Sequence, residues 1–256
     1  MPMAAPGQPV PKPRVDVVAG APPPLESGSH WYRRSTLVVL RVGARVLGNG
    51  TVTYSGSCSG ECPVTIVDDK TPASDHTGAC FGLDLLHSFR GPMRFGLGLH
   101  YVPLISVAPE RLGAEQGSEN KALGTSLEMP VILEGVVDAS DHVGIALRAQ
   151  FGPGLYFQSG AWQQDTDAYA GFCDEQNGAD KCRVRRFPRA AWTYGVGGGP
   201  VIALGNAVSL RTDVLLQLTN FRLFRFQAEA SSWEAKQEYS YSGYRLWALI
   251  GLEMGG

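Results

Sequence analysis

Residues 142–151 read His142-Val143-Gly144-Ile145-Ala146-Leu147-Arg148-Ala149-Gln150-Phe151. Val143, Ile145, Leu147 and Phe151 fall on one side of an extended chain; His142, Gly144, Ala146, Arg148 and Gln150 fall on the other. Period two means a β-strand, because successive side chains leave a strand on opposite faces. The second face decides what kind of strand. It is too small and too charged for the oily centre of a soluble barrel. It suits the packed polar interior of a barrel whose apolar exterior meets lipid.

The same alternation recurs on both sides of this stretch. Over about 35–47, Val38, Leu40, Val42, Ala44 and Val46 oppose Arg41, Gly43 and Arg45. Over about 79–89, Phe81, Leu83 and Leu85 oppose Gly82, Asp84 and Ser88, and over about 93–105, Phe95, Leu97, Leu99 and Tyr101 oppose Arg94, Gly96, Gly98 and His100. A strand over about 123–137 sets Leu127, Met129, Val131, Leu133 and Val137 against Ser126, Glu128 and Glu134. Three more follow residue 157, over about 190–204, 207–222 and 240–253. Their inward faces carry Thr193 and three glycines, then Arg211 and Asp213, then Arg245 and Glu253.

These stretches predict an all-β fold: an eight-stranded antiparallel up-and-down transmembrane β-barrel. Arg90-Gly91-Pro92, residues 138–141 and Gly205-Asn206 are tight-turn signals. They alternate with long polar connections over about 48–78, 107–122, 158–188 and 225–239. That rhythm fits short periplasmic turns and long extracellular loops. No run of eighteen apolar residues occurs, which excludes a membrane-spanning helix but not a barrel, whose strands need only about 9–11 residues each.

The inward positions collect Arg41, Arg45, Arg94, Arg148, Arg211 and Arg245 against Asp84, Glu128, Glu134, Asp213 and Glu253. An eight-stranded barrel is just wide enough for side chains to fill it. Unpaired charges there cost several kcal/mol each, so a charge-paired, plugged interior is expected. Aromatics gather near the strand ends: Trp31 and Tyr32, Trp192 and Tyr194, Phe221, Phe224 and Phe226, and Tyr239, Tyr241 and Tyr244. They suggest interfacial girdles. Arg183, Arg185, Arg186 and Arg189 lead into the sixth strand, where outer-rim guanidiniums can bond lipopolysaccharide phosphates.

Residues 1–30, with Pro11, Pro13 and Pro22 to Pro24, lack periodicity and read as a disordered Pro/Ala-rich periplasmic arm ahead of a barrel over 31–254. No basic stretch followed by an apolar core opens the chain, so the expected leader is removed or lies upstream. Of five cysteines, Cys173 and Cys182 flank the Asn177-Gly178 turn signal and are expected to form a disulfide, which places that loop in an oxidising compartment. Cys58, Cys62 and Cys80 leave more than one pairing open. The cysteine and loop-acid spacings match neither a zinc site nor a calcium loop, and no metal or cofactor is expected. A net charge of −2 gives no general field for nucleic acid. Gly195-Val196-Gly197-Gly198-Gly199-Pro200 is not a dinucleotide loop, because alternating apolar residues continue on both sides where a helix should begin.

In this order of strands, turns and loops, with Arg41, Arg45, Glu128, Arg211 and Asp213 inward, residues 31–254 resemble the small eight-stranded outer-membrane barrels of Gram-negative bacteria, the OmpA/OmpX-like group. That resemblance implies the bacterial outer membrane, with membrane lipid and lipopolysaccharide as surroundings and an envelope partner reached through the arm or the loops. The chain's end, Leu252-Glu253-Met254-Gly255-Gly256, lacks the aromatic assembly signal of many such barrels. The expected function is non-enzymatic, either loop-mediated recognition or an envelope structural role. The alternatives are a small-conductance porin, a lipid-modifying barrel enzyme and a soluble lipocalin-like carrier. The enzyme family that resembles this fold carries a His-x-Ser pair, and none of His30, His76, His87, His100 and His142 has Ser two residues on. The carrier requires the opposite orientation of every strand.

Overall fold

The computed structural model describes residues 35–90, 92–109, 122–175, 179–185 and 189–255. The Pro/Ala-rich arm, Trp31, Tyr32, Asn177, Gly178 and Arg186 lie outside them. The strands are β1 (Thr36–Ser59), β2 (Asp69–Asp75), β3 (Ala79–Arg90), β4 (Met93–Pro109), β5 (Ala122–Glu128), β6 (Val131–Asp138), β7 (Val143–Ser159), β8 (Lys181–Val184), β9 (Arg189–Ala203), β10 (Val208–Ala230) and β11 (Trp233–Gly255); one helix, α1 (Gly160–Asp174), follows β7. Every pairing is antiparallel, and β11 bonds to both β10 and β1, which closes the sheet.

The eleven strands make eight staves. β2 and β3 are halves of one stave, since both run along β1 in one continuous register, Asn49 facing Ser74 and Thr36 facing His87. β5 and β6 likewise share one register along β7 and are parted at Met129 and Pro130. Proline has no N–H to give to a ladder, so a stave interrupts there without losing its place. β8 continues the line of β9 upward along β10.

The exterior of the lower wall is an apolar belt. Leu97, Leu133, Leu147, Val196 and Val214 are each more than 40% exposed. From Leu210 to Leu218 on β10, and from Ile145 to Phe157 on β7, the belt runs about 27 to 40 Å along the strands. At the usual tilt of 35–45° that is about 20 to 30 Å of membrane. Such an area of exposed hydrocarbon is stable only against lipid, and a closed ladder leaves no backbone edge unsatisfied there. This is an outer-membrane-type β-barrel.

Above the belt the polarity reverses. β1, β10 and β11 run 24, 23 and 23 residues, well past the membrane. In these extensions Val52, Phe221, Phe224, Phe226, Ala235 and Tyr241 point inward and are buried, while Asn220, Arg222 and Arg225 face out. The expected fourth loop over 225–239 is therefore two strand ends joined at Ser231 and Ser232. Likewise β1 and β2 occupy most of the connection expected over 48–78. Bulges at Val46 and Leu223 shift the alternation where the polarity changes.

Helix α1 and β8 occupy part of the long connection before β9. The helix lays Trp162, Tyr169 and Phe172 on the aromatic core, with Trp162 centred 5.7 Å from Tyr239 and Tyr169 4.8 Å from Phe224. Disulfides join Cys173 to Cys182, as the turn signal predicts, and Cys58 to Cys62, while Cys80 is a free thiol.

Candidate functional site

The bore is filled in layers. At the end that holds the short turns, two small apolar clusters close it: Leu37, Val39, Leu86 and Ile132, and Val136, Ala146, Val201 and Ala203. Directly above them, four arginines meet four carboxylates. Arg41 bonds Asp84 at 2.6 Å and Asp213 at 2.5 Å. Arg94 bonds Glu134 at 3.0 Å and Glu253 at 3.1 Å. Arg148 reaches Asp84 at 2.6 Å. Arg211 reaches Glu134 at 2.8 Å and Asp213 at 2.9 Å. All eight are at most 6% exposed. They come from β1, β3, β4, β6, β7, β10 and β11, so the cluster ties seven strands together across the bore.

The alternation of each strand puts these groups inside, and glycine gives them volume. A Cβ on Gly98 would stand 2.8 Å from Oδ1 of Asp84 and 2.9 Å from Nε2 of His100; one on Gly251 would stand 3.0 Å from Cγ of Arg211. Shared partners matter more than any one contact. Each charge loses its water, and only several opposite charges at bonding distance offset that loss in a low-dielectric interior.

The next layer is mostly neutral. Glu128 is buried but takes no arginine among the described residues: Oε1 accepts from Ser126 at 3.3 Å and Oε2 from the Gln217 amide at 2.8 Å. Trp247 Nε1 donates to Gln217 Oε1 at 2.8 Å. His100 lies 2.9 Å from Asp84 and joins the charge cluster from its inward place on β4. Higher again, Arg245 donates to Asp75 at 2.7 Å, and Tyr241 donates to the same oxygen at 3.1 Å. Arg245 also stacks over Phe221, 5.0 Å from the ring centre. Arg45 is only partly buried and donates to the Thr77 carbonyl oxygen at 2.8 Å.

All eleven expected interior charges thus point into the barrel, ten of them buried, but they form two ion-pair groups, with Glu128 held by the Gln217 amide and Arg45 by the Thr77 carbonyl oxygen. Asp75 is the partner that the sequence conceals, because its strand, Asp69–Asp75, has no apolar face and contains Pro72.

The outer surface needs two corrections. Phe221, Phe224, Phe226, Tyr239 and Tyr241 are not girdle residues: all are less than 9% exposed inside the upper barrel. Trp192, Tyr194 and Tyr244 do face outward at the top of the belt, at 47%, 52% and 38% exposure. Arg189 does not reach the rim, since it is turned inward and 2% exposed, whereas Arg183 and Arg185 are exposed on the outer wall. The register of β9 explains this: Arg189 shares the inward parity of Ala191 and Thr193.

No known protein family matches the sequence, and no curated protein is similar to it. Solved structures of similar shape are outer-membrane proteins. OprG from Pseudomonas aeruginosa superimposes with a TM-score of 0.47 at 11% identity, over 88% of this chain and 98% of that one. Neisserial surface protein A gives 0.40 at 9% identity, over 86% and 97%. AlkL, solved in lipid bilayers, gives 0.41 at 11% identity, over 87% and 90%. These are similarities of shape alone.

Proposed function

We propose that this protein is a closed, non-enzymatic barrel of the bacterial outer membrane whose role lies on its external surface and not in its bore. The observation that carries the reading is the cluster of four arginines and four carboxylates spanning the bore. A conducting pore needs a continuous water path. Here shared ion pairs fill the cross-section, apolar clusters close it below, and an aromatic core under α1 fills it above. His100, the histidine inside, is held by Asp84 and enclosed by the same cluster. The exposed belt argues against a soluble carrier, which needs its apolar faces inside. The partners that fit are outer-leaflet lipid and lipopolysaccharide, with Arg183 and Arg185 placed outward for phosphate, and an envelope protein reached through the loops or the N-terminal arm.

Planar-bilayer recording tests the closed bore. The purified full chain is expected to give no stable conductance steps above the lipid baseline. Long-lived channels of large conductance would overturn the plug and favour a porin.

A further inference from the structure

The outer wall just above the belt carries an arrangement that the bore does not use. Four neighbouring strands are in register there: β2, β1, β11 and β10. One transverse row reads Lys70, Thr53, Ser240, Arg222. The row below reads Pro72, Thr51, Ser242, Asn220, and the next Ser74, Asn49, Tyr244, Leu218. Tyr194 extends this last row onto β9. Lys70, Arg222, Asn220 and Ser242 are exposed, and Thr51, Thr53 and Ser240 are partly so. Below the cation row, Thr51, Asn220, Ser242, Asn49 and the tyrosines Tyr194 and Tyr244 line an open depression of about 610 Å³.

The chemistry of the rows is graded along the strands. Two cations end the top row, three strand spacings or about 14 Å apart. Hydroxyls and an amide lie between and beneath them, and the apolar belt begins at Tyr244, Leu218 and Tyr194. Of the neighbouring carboxylates, Glu238 lies 3.8 Å from Arg225, Glu234 lies 2.5 Å from Lys236, and Asp69 accepts the Lys70 backbone N–H at 2.7 Å, while Asp68 is exposed near Arg225 and Lys236. Arg222 has no carboxylate partner among the described residues.

A ligand matching this pattern has two separated phosphates, a sugar body rich in hydroxyls, and acyl chains descending from it. We propose that this wall seats one lipopolysaccharide molecule by its lipid A headgroup. One phosphate lies at Lys70 and the other at Arg222, where guanidinium bonds it bidentately. The sugars rest on Thr51, Ser240, Ser242 and Asn220, and the acyl chains run down over Tyr244, Leu218 and Tyr194. The inference rests on the reading above that this barrel lies in the outer membrane, in contact with outer-leaflet lipid.

The test uses the full chain in neutral detergent, titrated with lipid A or with phosphatidylglycerol, bound lipid being counted by native mass spectrometry. The wild type should retain one lipid A in preference to phosphatidylglycerol. Lys70→Gln with Arg222→Gln should weaken lipid A retention roughly tenfold or more, the loss of at least one charge-assisted bond. Lys236→Gln, on the same wall but paired with Glu234, should bind as wild type does. Both variants should keep the heat-modifiable gel shift of a folded barrel. Unchanged retention in the double variant, or equal retention of the two lipids by the wild type, overturns the site. Failure of the wild type to insert folded into liposomes would instead strike the membrane reading on which the site rests.

Discussion

Leu147→Arg is expected to remove most of the folded barrel. Leu147 is 61% exposed near the middle of the belt and faces Gly135 and Gly198 on its two neighbouring strands. Glycine neighbours offer no side chain to shield a guanidinium from lipid. Arginine at the midplane of a barrel costs roughly 2–4 kcal/mol, which is about a 30- to 1000-fold loss in the folding equilibrium. Folding into liposomes, followed by the heat-modifiable band on gels, measures it. Leu147→Phe, which keeps the apolar contact with lipid, should fold normally. Wild-type recovery of the arginine variant would mean that this face does not meet hydrocarbon.

Glu134→Ala should be at least as costly, for the opposite reason. Glu134 is fully buried and lies within 4 Å of Arg94, Arg211 and Arg41. Its removal leaves those guanidiniums sharing Asp84, Asp213 and Glu253 while a cavity opens beside them. Breaking a buried pair from one side costs about 3–5 kcal/mol. The urea midpoint in detergent should fall accordingly. Replacing Arg94 and Glu134 together by Met restores charge balance, so the double variant should be less destabilised than the two single losses added. The coupling expected for groups sharing a network is about 0.5–3 kcal/mol. Strict additivity would show that the interior charges act independently and do not form a joined plug.

The membrane-spanning half of this fold was legible because its physical demand is simple. Lipid requires an apolar residue at every second position, and residues 143–151 meet it without exception. The same alternation assigned the interior charges, because a narrow barrel allows no other place for Arg211 or Glu134. Legibility ended where the solvent changed. Above the belt, Phe221, Phe226, Tyr239 and Tyr241 still alternate with polar residues, but their apolar face is now the inner one. The bulge at Leu223 makes two successive residues point inward and hides the continuation of the strand. Arg189 is a separate case: its charge suggests the rim, while strand parity puts it inside. Helix α1 has weak signals: the N-cap residue Ser159 makes no side-chain cap, and the first turn holds no acid. Packing of Trp162, Tyr169 and Phe172 on the aromatic core forms it, and that core is visible only after the strands have been assembled.

The central claim is a wall whose apolar face meets lipid below and whose polar face meets water above. Nitroxide labels scanned through residues 144–151 and placed at 222 and 240 test it most directly, in the full chain with Cys80→Ser and both disulfides intact, reconstituted in liposomes. Labels at 145, 147, 149 and 151 should collide freely with oxygen and poorly with a water-soluble nickel chelate, alternating with protected labels at 144, 146, 148 and 150. Labels at 222 and 240 should show the reverse preference, with the nickel chelate dominant. Nickel access at 145–151, or no alternation of period two, would contradict the orientation of the strands and with it the account of the barrel.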